Sequence, residues 1–291
     1  MTRIYRKHQQ HVKLTQLLKD AKPMAFSILS HLNEAKPTSQ IRPYYPDRIP
    51  HPAQRAYSGR GGKKLKVATA VAYRCHQAIS DDKTEEFAHQ PDHRKRRELR
   101  NLMSQRVKPL EEKHLREWAT AQNLILDNRD FDTRWQDQGS LGEAENNVYF
   151  DEPSQRWFKR NNLSYHSSYL EFFYRMALHN ELFPEAPLAL EGFVETADGL
   201  QPVMSQHNVR SQRGATRDEV VILMRKLGYE NIRNTDDYYN EETGIQVEDL
   251  HNENVLMGED GQIYVIDPVI YLDDGGKHHR LSSGEPLSFA A

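Results

Sequence analysis

Apolar positions along this chain come in short groups separated by polar runs, and their spacing changes character near its middle. Val12, Leu14, Leu17 and Leu18, then Phe26, Ile28, Leu29 and Leu32, predict two helices within residues 5–34, separated or kinked at Pro23. From Ala35 to Gly62 the chain carries Pro37, Pro43, Pro46, Pro50 and Pro52 and ends in Gly59-Arg60-Gly61-Gly62, the pattern of an extended connection. Lys63 to Ile79 reads as one ordered element. Its run Val67, Ala68, Ala70, Val71, Ala72 is too continuous for periodicity to decide between helix and strand. Residues 93–107 predict a basic helix, and Pro109 with Glu111 and Glu112 predicts the start of another reaching about Ala121.

After Asp130 the period shortens. Residues 146–151 and 156–160 read as a strand hairpin, and residues 165–181 as an aromatic-rich helix with Tyr169, Phe172, Phe173 and Met176 roughly on one face. A second hairpin is predicted over 188–196 and 201–206, turning at Asp198-Gly199. Thr216, with Glu219 three residues on, opens a helix over 216–227 as a capping box. The pattern then gives a loop, a short strand, a turn at Gly258–Gly261 and a strand Ile263–Ile266.

Charge divides the chain at the same place. Residues 1–130 hold 26 Lys and Arg against 14 Asp and Glu, a balance of +12; residues 131–291 hold 13 against 28, a balance of −15. The split predicts three parts: a helical segment with its Pro-rich connection (1–62), a basic and mainly helical region (63–130), and an acidic domain (131–291). Arg94-Lys95-Arg96-Arg97 with Arg100, Arg60, Lys63, Lys64 and Lys66 is a candidate phosphate-backbone contact, which makes nucleic acid a possible partner. A solvated helix face, or docking on the acidic half, explains the same charges. With one cysteine, Cys75, no intrachain disulfide or cysteine zinc site can form. His89 with His93, and His278 with His279, lack the spacing of a metal-binding helix motif. No apolar run approaches the ~20 residues of a membrane span, and Met1-Thr2-Arg3 opens no apolar leader, so a cytoplasmic location without membrane contact is expected.

The chemistry is concentrated in Val247-Glu248-Asp249-Leu250-His251-Asn252-Glu253-Asn254-Val255-Leu256 and Tyr264-Val265-Ile266-Asp267-Pro268. An Asp, an Asn five positions later and an Asp thirteen beyond that is the spacing of a kinase catalytic loop and metal-binding Asp. Phosphoryl transfer from ATP needs a base to position the acceptor and Mg²⁺ to neutralise the triphosphate. Asp249 fits the base, and Asn254 and Asp267 offer the hard oxygens that Mg²⁺ prefers. Upstream, Gly139-Ser140-Leu141-Gly142-Glu143-Ala144-Glu145-Asn146-Asn147-Val148 is a candidate phosphate-covering loop, with Gly142, Glu145 and Asn146 as nucleotide contacts. Lys159, in the strand Trp157-Phe158-Lys159, is placed to hold phosphates. Glu171 on the next helix is its expected ion-pair partner, with Glu181 as the alternative. Pro202-Val203-Met204-Ser205-Gln206 stands where a hinge backbone meets adenine, which makes Met204 and Gln206 nucleotide contacts.

Residues from about Leu115 to Leu272, just over half the chain, resemble the small kinase-like domain of polyvalent proteins from phages and conjugative elements. The resemblance is carried by Gly142 to Tyr149, Leu178-His179-Asn180-Glu181-Leu182-Phe183-Pro184, Leu190-Glu191-Gly192-Phe193, Met204-Ser205-Gln206 and Asp249 through Asp267. Asp249-Leu250-His251 and Ile266-Asp267 are more distantly similar to the antibiotic- and choline-kinase branch. The resemblance implies an α+β, protein-kinase-like two-lobed fold, preceded by a mainly helical N-terminal region. It also implies phosphotransfer from ATP to an unnamed acceptor. Glu248 stands where an Arg commonly precedes the catalytic Asp, Pro268 follows Asp267, and 24 residues follow Asp267. A short C-lobe without an extended activation segment is therefore expected, with a small acceptor, one bound with help from the N-terminal region, or phosphorylation in cis.

Overall fold

The spacing of buried positions settles the element that periodicity left open: Leu65, Ala68, Ala72 and Cys75 are buried along one stripe, so the segment is a helix, α1 (Gly62–Lys83). The computed structural model describes residues 61–83, 93–129, 133, 145–232 and 236–272. The two helices expected within 5–34, the loop Gly139–Gly142 and the tail histidines lie outside the described residues. Burial raises the Cys75 thiol to about 12, an inert side chain.

The second helix, α2 (His93–Ala121), corrects the expectation of two helices meeting at Pro109. Proline removes one backbone donor and crowds the carbonyl four residues earlier. What carries the helix through it is a single stripe at four-residue spacing: Val107, Glu111, Leu115 and Ala119 are all completely buried. Packing on both sides of the proline outweighs its local cost.

A five-stranded sheet follows, in the order β1-β4-β5-β3-β2. Its strands are β1 (Ile125–Leu126), β2 (Asn146–Asp151), β3 (Arg156–Asn161), β4 (Ala189–Thr196) and β5 (Gly199–His207). β1 pairs parallel with β4, and the other pairings are antiparallel. The β4–β5 turn is made at Gly199, whose φ of +114° suits glycine and whose Cα faces the Glu112 carboxylate. Helix α3 (Tyr169–Leu182) joins β3 to β4. It starts later than residue 165 because Ser168 caps it, accepting from Glu171 N.

Helices α1 and α2 lie before the boundary expected at residue 131, yet they share a core with α3 and the sheet. Leu65, Ala68, Leu115, Ala119, Tyr169, Phe173, Leu190, Phe193 and Met204 belong to one cluster. The buried carboxylate of Glu111 accepts from Tyr169 N at 2.9 Å and Leu170 N at 3.1 Å, two N–H groups that the first turn of α3 leaves unpaired. Lys108 meanwhile donates to Leu163 O at 2.9 Å. An anion at a helix N-terminus is favoured by the helix dipole as well. Glu111→Ala is expected to remove about 2–3 kcal/mol, since hydrogen bonds to a charged group are worth about 1.5–3 kcal/mol. Urea unfolding checks this, with Glu111→Gln retaining part of the stability.

Beyond β5 come β6 (Ser211–Gly214), α4 (Arg217–Lys226), β7 (Glu230–Asn231), β8 (Tyr238–Asn240), β9 (Ile245–Glu248), β10 (Val255–Gly258), β11 (Ile263–Val265) and β12 (Val269–Leu272). The capping box expected at Thr216 and Glu219 is present. Strands β11-β10-β6 and β12-β9-β8-β7 form two small sheets. They enclose a second core of Leu178, Phe183, Met224, Tyr229, Tyr238, Val247, Val255, Val265 and Ile270. Helix α3 feeds both cores, with Phe173 and Met176 in the first and Leu178 in the second. The described part is thus an α+β fold. No described helix is long and apolar enough to cross a membrane.

Candidate active site

Strand pairing brings the distant acidic and amide residues together. The hairpin β10–β11 pairs Val255 with Val265, and Ile266 N donates to Asn254 O at 2.9 Å. Asn254, just before β10, and Asp267, just after Ile266, therefore stand at the same end of the hairpin. Asp267 leads into β12, whose first residue Val269 pairs with Glu248 at the end of β9. Asp249 is the next residue along. Three segments converge here because their strands pair, which is what the spacing Asp249, Asn254, Asp267 encodes.

Asp249 adopts a left-handed backbone with φ +66°. Aspartate tolerates this region better than most residues, and such strain concentrates at functional sites. Asn254 Nδ2 donates both to Asp249 O at 3.0 Å and to Asp249 Oδ2 at 2.9 Å. That use of the amide nitrogen leaves Asn254 Oδ1 as an uncommitted hard oxygen. The loop is also pressed from outside: a Cβ on Gly214 of β6 would lie 2.3 Å from Asn252 O, so only glycine allows this approach.

Lys159 reaches the site from β3. Its side chain is only 8% exposed, and its Nζ lies 2.8 Å from Asp267 Oδ1 and 3.4 Å from Ile266 O. Asp267 is half exposed, with its Oδ1 held by Lys159. Glu171 is placed differently from the expectation. It sits in the first turn of α3, where its carboxylate accepts from Ser167 N at 2.8 Å and pairs with Arg175 at 2.6 Å. Neither Glu171 nor Glu181 is among the contacts of Lys159. A first-turn carboxylate finds nearby unpaired N–H groups, and Lys159 finds its counter-ion in Asp267.

Of the remaining expected nucleotide contacts, Gly142 lies outside the described residues and the others are located. Glu145 and Asn146 both accept from the buried Asn161 Nδ2, at 3.0 and 2.9 Å, which ties the start of β2 to the end of β3. Met204 and Gln206 lie inside β5, opposite Lys159 and Trp157 of β3. The chain leaves this sheet after His207, and Asn208-Val209-Arg210 connect β5 to β6. Gln206 Nε2 donates to Ala186 O at 2.7 Å, beside His179 Nε2 at 2.8 Å from the same oxygen.

His179 lies behind Lys159 and Asp267, fully enclosed. Burial pushes its imidazole down to about 4, partly countered by the Ala186 carbonyl, with Lys159 lowering and Asp267 raising it. The folded state thus takes up this proton later than the unfolded chain, whose His titrates near 6.5. Between pH 6.5 and about 4 the unfolded state binds more protons, so stability falls as pH drops through that window. Urea midpoints measured from pH 7 to 4.5 should show this slope, and His179→Gln should flatten it.

Among the described residues no cluster of three His, Cys, Asp or Glu side chains is close enough to hold a metal by protein ligands alone. Asn254 Oδ1 and the half-exposed Asp267 carboxylate are the kind of oxygens that fit Mg²⁺ nonetheless. That ion binds through one or two protein oxygens, with phosphates and water completing its octahedron. His251 enters the sequence reading only within Asp249-Leu250-His251, with no role given to it; its Nε2 lies 3.4 Å from Asp249 Oδ1.

A buried lysine on an exposed aspartate, with an Asp–Asn pair on the adjoining loop, is the equipment of a kinase. The chain belongs to the serine/threonine/tyrosine kinase family found in polyvalent proteins, whose family model matches residues 108–274. That match begins within α2, one residue before Pro109. No curated protein and no solved structure matches the chain.

Proposed function

We propose that this kinase is an Mg-ATP-dependent phosphotransferase of two-lobed architecture with a short C-lobe. The β1–β5 sheet with α3 forms the upper lobe, and the segments from β6 onward form the lower. The observation that carries the reading is the contact of Lys159 with Asp267, across 108 residues, beside the Asp249–Asn254 pair. Lys159 would hold the phosphates of a bound nucleotide as a point charge. Asn254 and Asp267 would hold Mg²⁺, which would neutralise charge on the phosphates. Asp249 orients the acceptor hydroxyl and takes its proton as the oxygen bonds to the γ-phosphorus and ADP departs.

The net negative balance of residues 131–291 favours an acceptor that is neutral or cationic. The positive balance of residues 1–130 favours an acidic partner, nucleic acid among them. The test is incubation of the full chain with γ-labelled ATP and Mg²⁺. Time-dependent movement of label to water, to the chain or to an added hydroxyl acceptor, abolished by chelation, is expected. Label that stays on ATP under all these conditions, with nucleotide bound, would reduce the site to a nucleotide-binding module.

A further inference from the structure

The run Leu190-Glu191-Gly192-Phe193 carries part of the family resemblance, and the roles above leave it unused. Leu190 and Phe193 enter the first core, and Gly192 leaves room for Leu124 O, which a Cβ there would meet at 2.3 Å. Glu191 does neither. The β4–β5 register pairs Leu190 with Met204 and then Gly192 with Val203, so Glu191 stands at a bulge. A bulge re-aims a side chain and recurs beside active sites. This side chain is only 10% exposed, and an enclosed carboxylate requires donors around it.

Its donors come from three other elements. Ser205 Oγ of β5 donates to Glu191 Oε1 at 2.6 Å and accepts from the buried Arg156 Nε of β3 at 2.9 Å. Lys64 Nζ of α1 donates to Glu191 O at 2.8 Å, with Glu191 Oε2 at 3.4 Å. One residue thus joins α1, β4, β5 and β3. Ser205 pairs with Phe158, and its neighbour Met204 pairs with Lys159. The contacts that start at Lys64 therefore end beside Lys159.

Lys64 lies outside the segment that the family model matches, which begins at residue 108. Its helix is nonetheless seated closely on β4: a Cβ on Gly61, whose φ is +73°, would lie 2.6 Å from Leu190 N. The first turn of α1 holds Lys63 and Lys64 and no acidic residue. Cations at a helix N-terminus oppose the helix dipole, so Lys64 stands there against the local preference, and its contact with Glu191 offsets that.

We propose that Lys64 is a positioning residue for nucleotide binding: through Glu191 and Ser205 it fixes β5 against β3 where Met204 pairs with Lys159, so the catalytic unit of this chain begins at Gly61. The inference rests on Lys159 holding the phosphates. Strand β3 has β5 on one side and the edge strand β2 on the other, so its placement depends on β5. A shift of about 1 Å, caused far from the chemistry, can cost about a hundredfold in rate. That is the upper scale of what Lys64 supplies.

Lys64→Met keeps the apolar stem and a good helix former but removes the donor, while Lys64→Arg keeps a donor. The side chain is about one-third exposed, so both variants should stay folded, which thermal unfolding without nucleotide verifies. Isothermal titration of the full chain with Mg-ATP is the readout. Lys64→Met is expected to bind about three- to tenfold more weakly, the scale of one hydrogen bond, and Lys64→Arg close to wild type. In a Lys159→Met background the same Lys64→Met change should matter less than about twofold. Independent sites add, so a merely structural lysine would give the same loss in both backgrounds. That result, or wild-type affinity in Lys64→Met, overturns the proposal. A wild type that binds no Mg-ATP removes the reading of Lys159 and this one with it. A wild type that binds, beside a Lys64→Met that binds as tightly, removes this one alone.

Discussion

Asp249→Asn is expected to slow γ-phosphoryl transfer by about a hundred- to ten-thousand-fold, the usual contribution of a positioned general base, while nucleotide affinity stays close to that of the wild type. The substitution is nearly isosteric, and asparagine tolerates the left-handed backbone found here at φ +66°. The loop should therefore keep its shape. What is lost is the ability to accept the acceptor's proton. Asp249 is half exposed and faces Asn254 and His251 rather than Lys159, so the phosphates should be held as before. Isothermal titration with nucleotide, beside a single-turnover transfer assay, checks both halves. An equal loss of binding and turnover would instead mean that Asp249 holds the loop together.

Lys159→Met is expected to show the opposite pattern, with weakened nucleotide binding in a fully folded chain. A hydrogen bond to a charged group is worth about 1.5–3 kcal/mol, so affinity should fall about ten- to a hundredfold. The fold should tolerate the change. Methionine nearly matches the lysine stem, and losing a buried ammonium removes its desolvation cost. Asp267, left without its partner, is half exposed and stays solvated. Nucleotide titration and thermal unfolding of the same sample read the two effects separately.

Local chemistry was the part of this fold most legible in the sequence. The Thr216–Glu219 capping box, the Asp198-Gly199 turn and the strands around Lys159 depend on neighbours a few residues away, and each was found where its pattern placed it. The loop spacing of Asp249, Asn254 and Asp267 was legible for the same reason: one short hairpin, β10–β11, fixes it.

What escaped the sequence depends on distant partners. Pro109 reads as a helix start until the buried stripe of Val107, Glu111, Leu115 and Ala119 is seen to run past it. Glu171 was assigned to Lys159 by its helix alone, but its own first turn and Arg175 claim it, while Asp267 arrives from the far end of the chain. Strand β5 runs one residue past the expected 201–206, to His207, because β3 pairs with it as far as Arg156. The pairings of β6 with β10 and of β9 with β12 leave no local mark.

The most direct measurement is thermal unfolding of the full chain with ATP, with and without Mg²⁺, in the wild type and in Asp267→Asn. A ligand at about a hundred times its dissociation constant stabilises the native state by about 2.7 kcal/mol. The wild type should show a clear upward shift that depends on Mg²⁺, and Asp267→Asn should lose the Mg²⁺-dependent part. A wild type that does not shift at millimolar nucleotide, or a variant that keeps the full Mg²⁺ response, would contradict the placement of an Mg-ATP site at Lys159, Asn254 and Asp267.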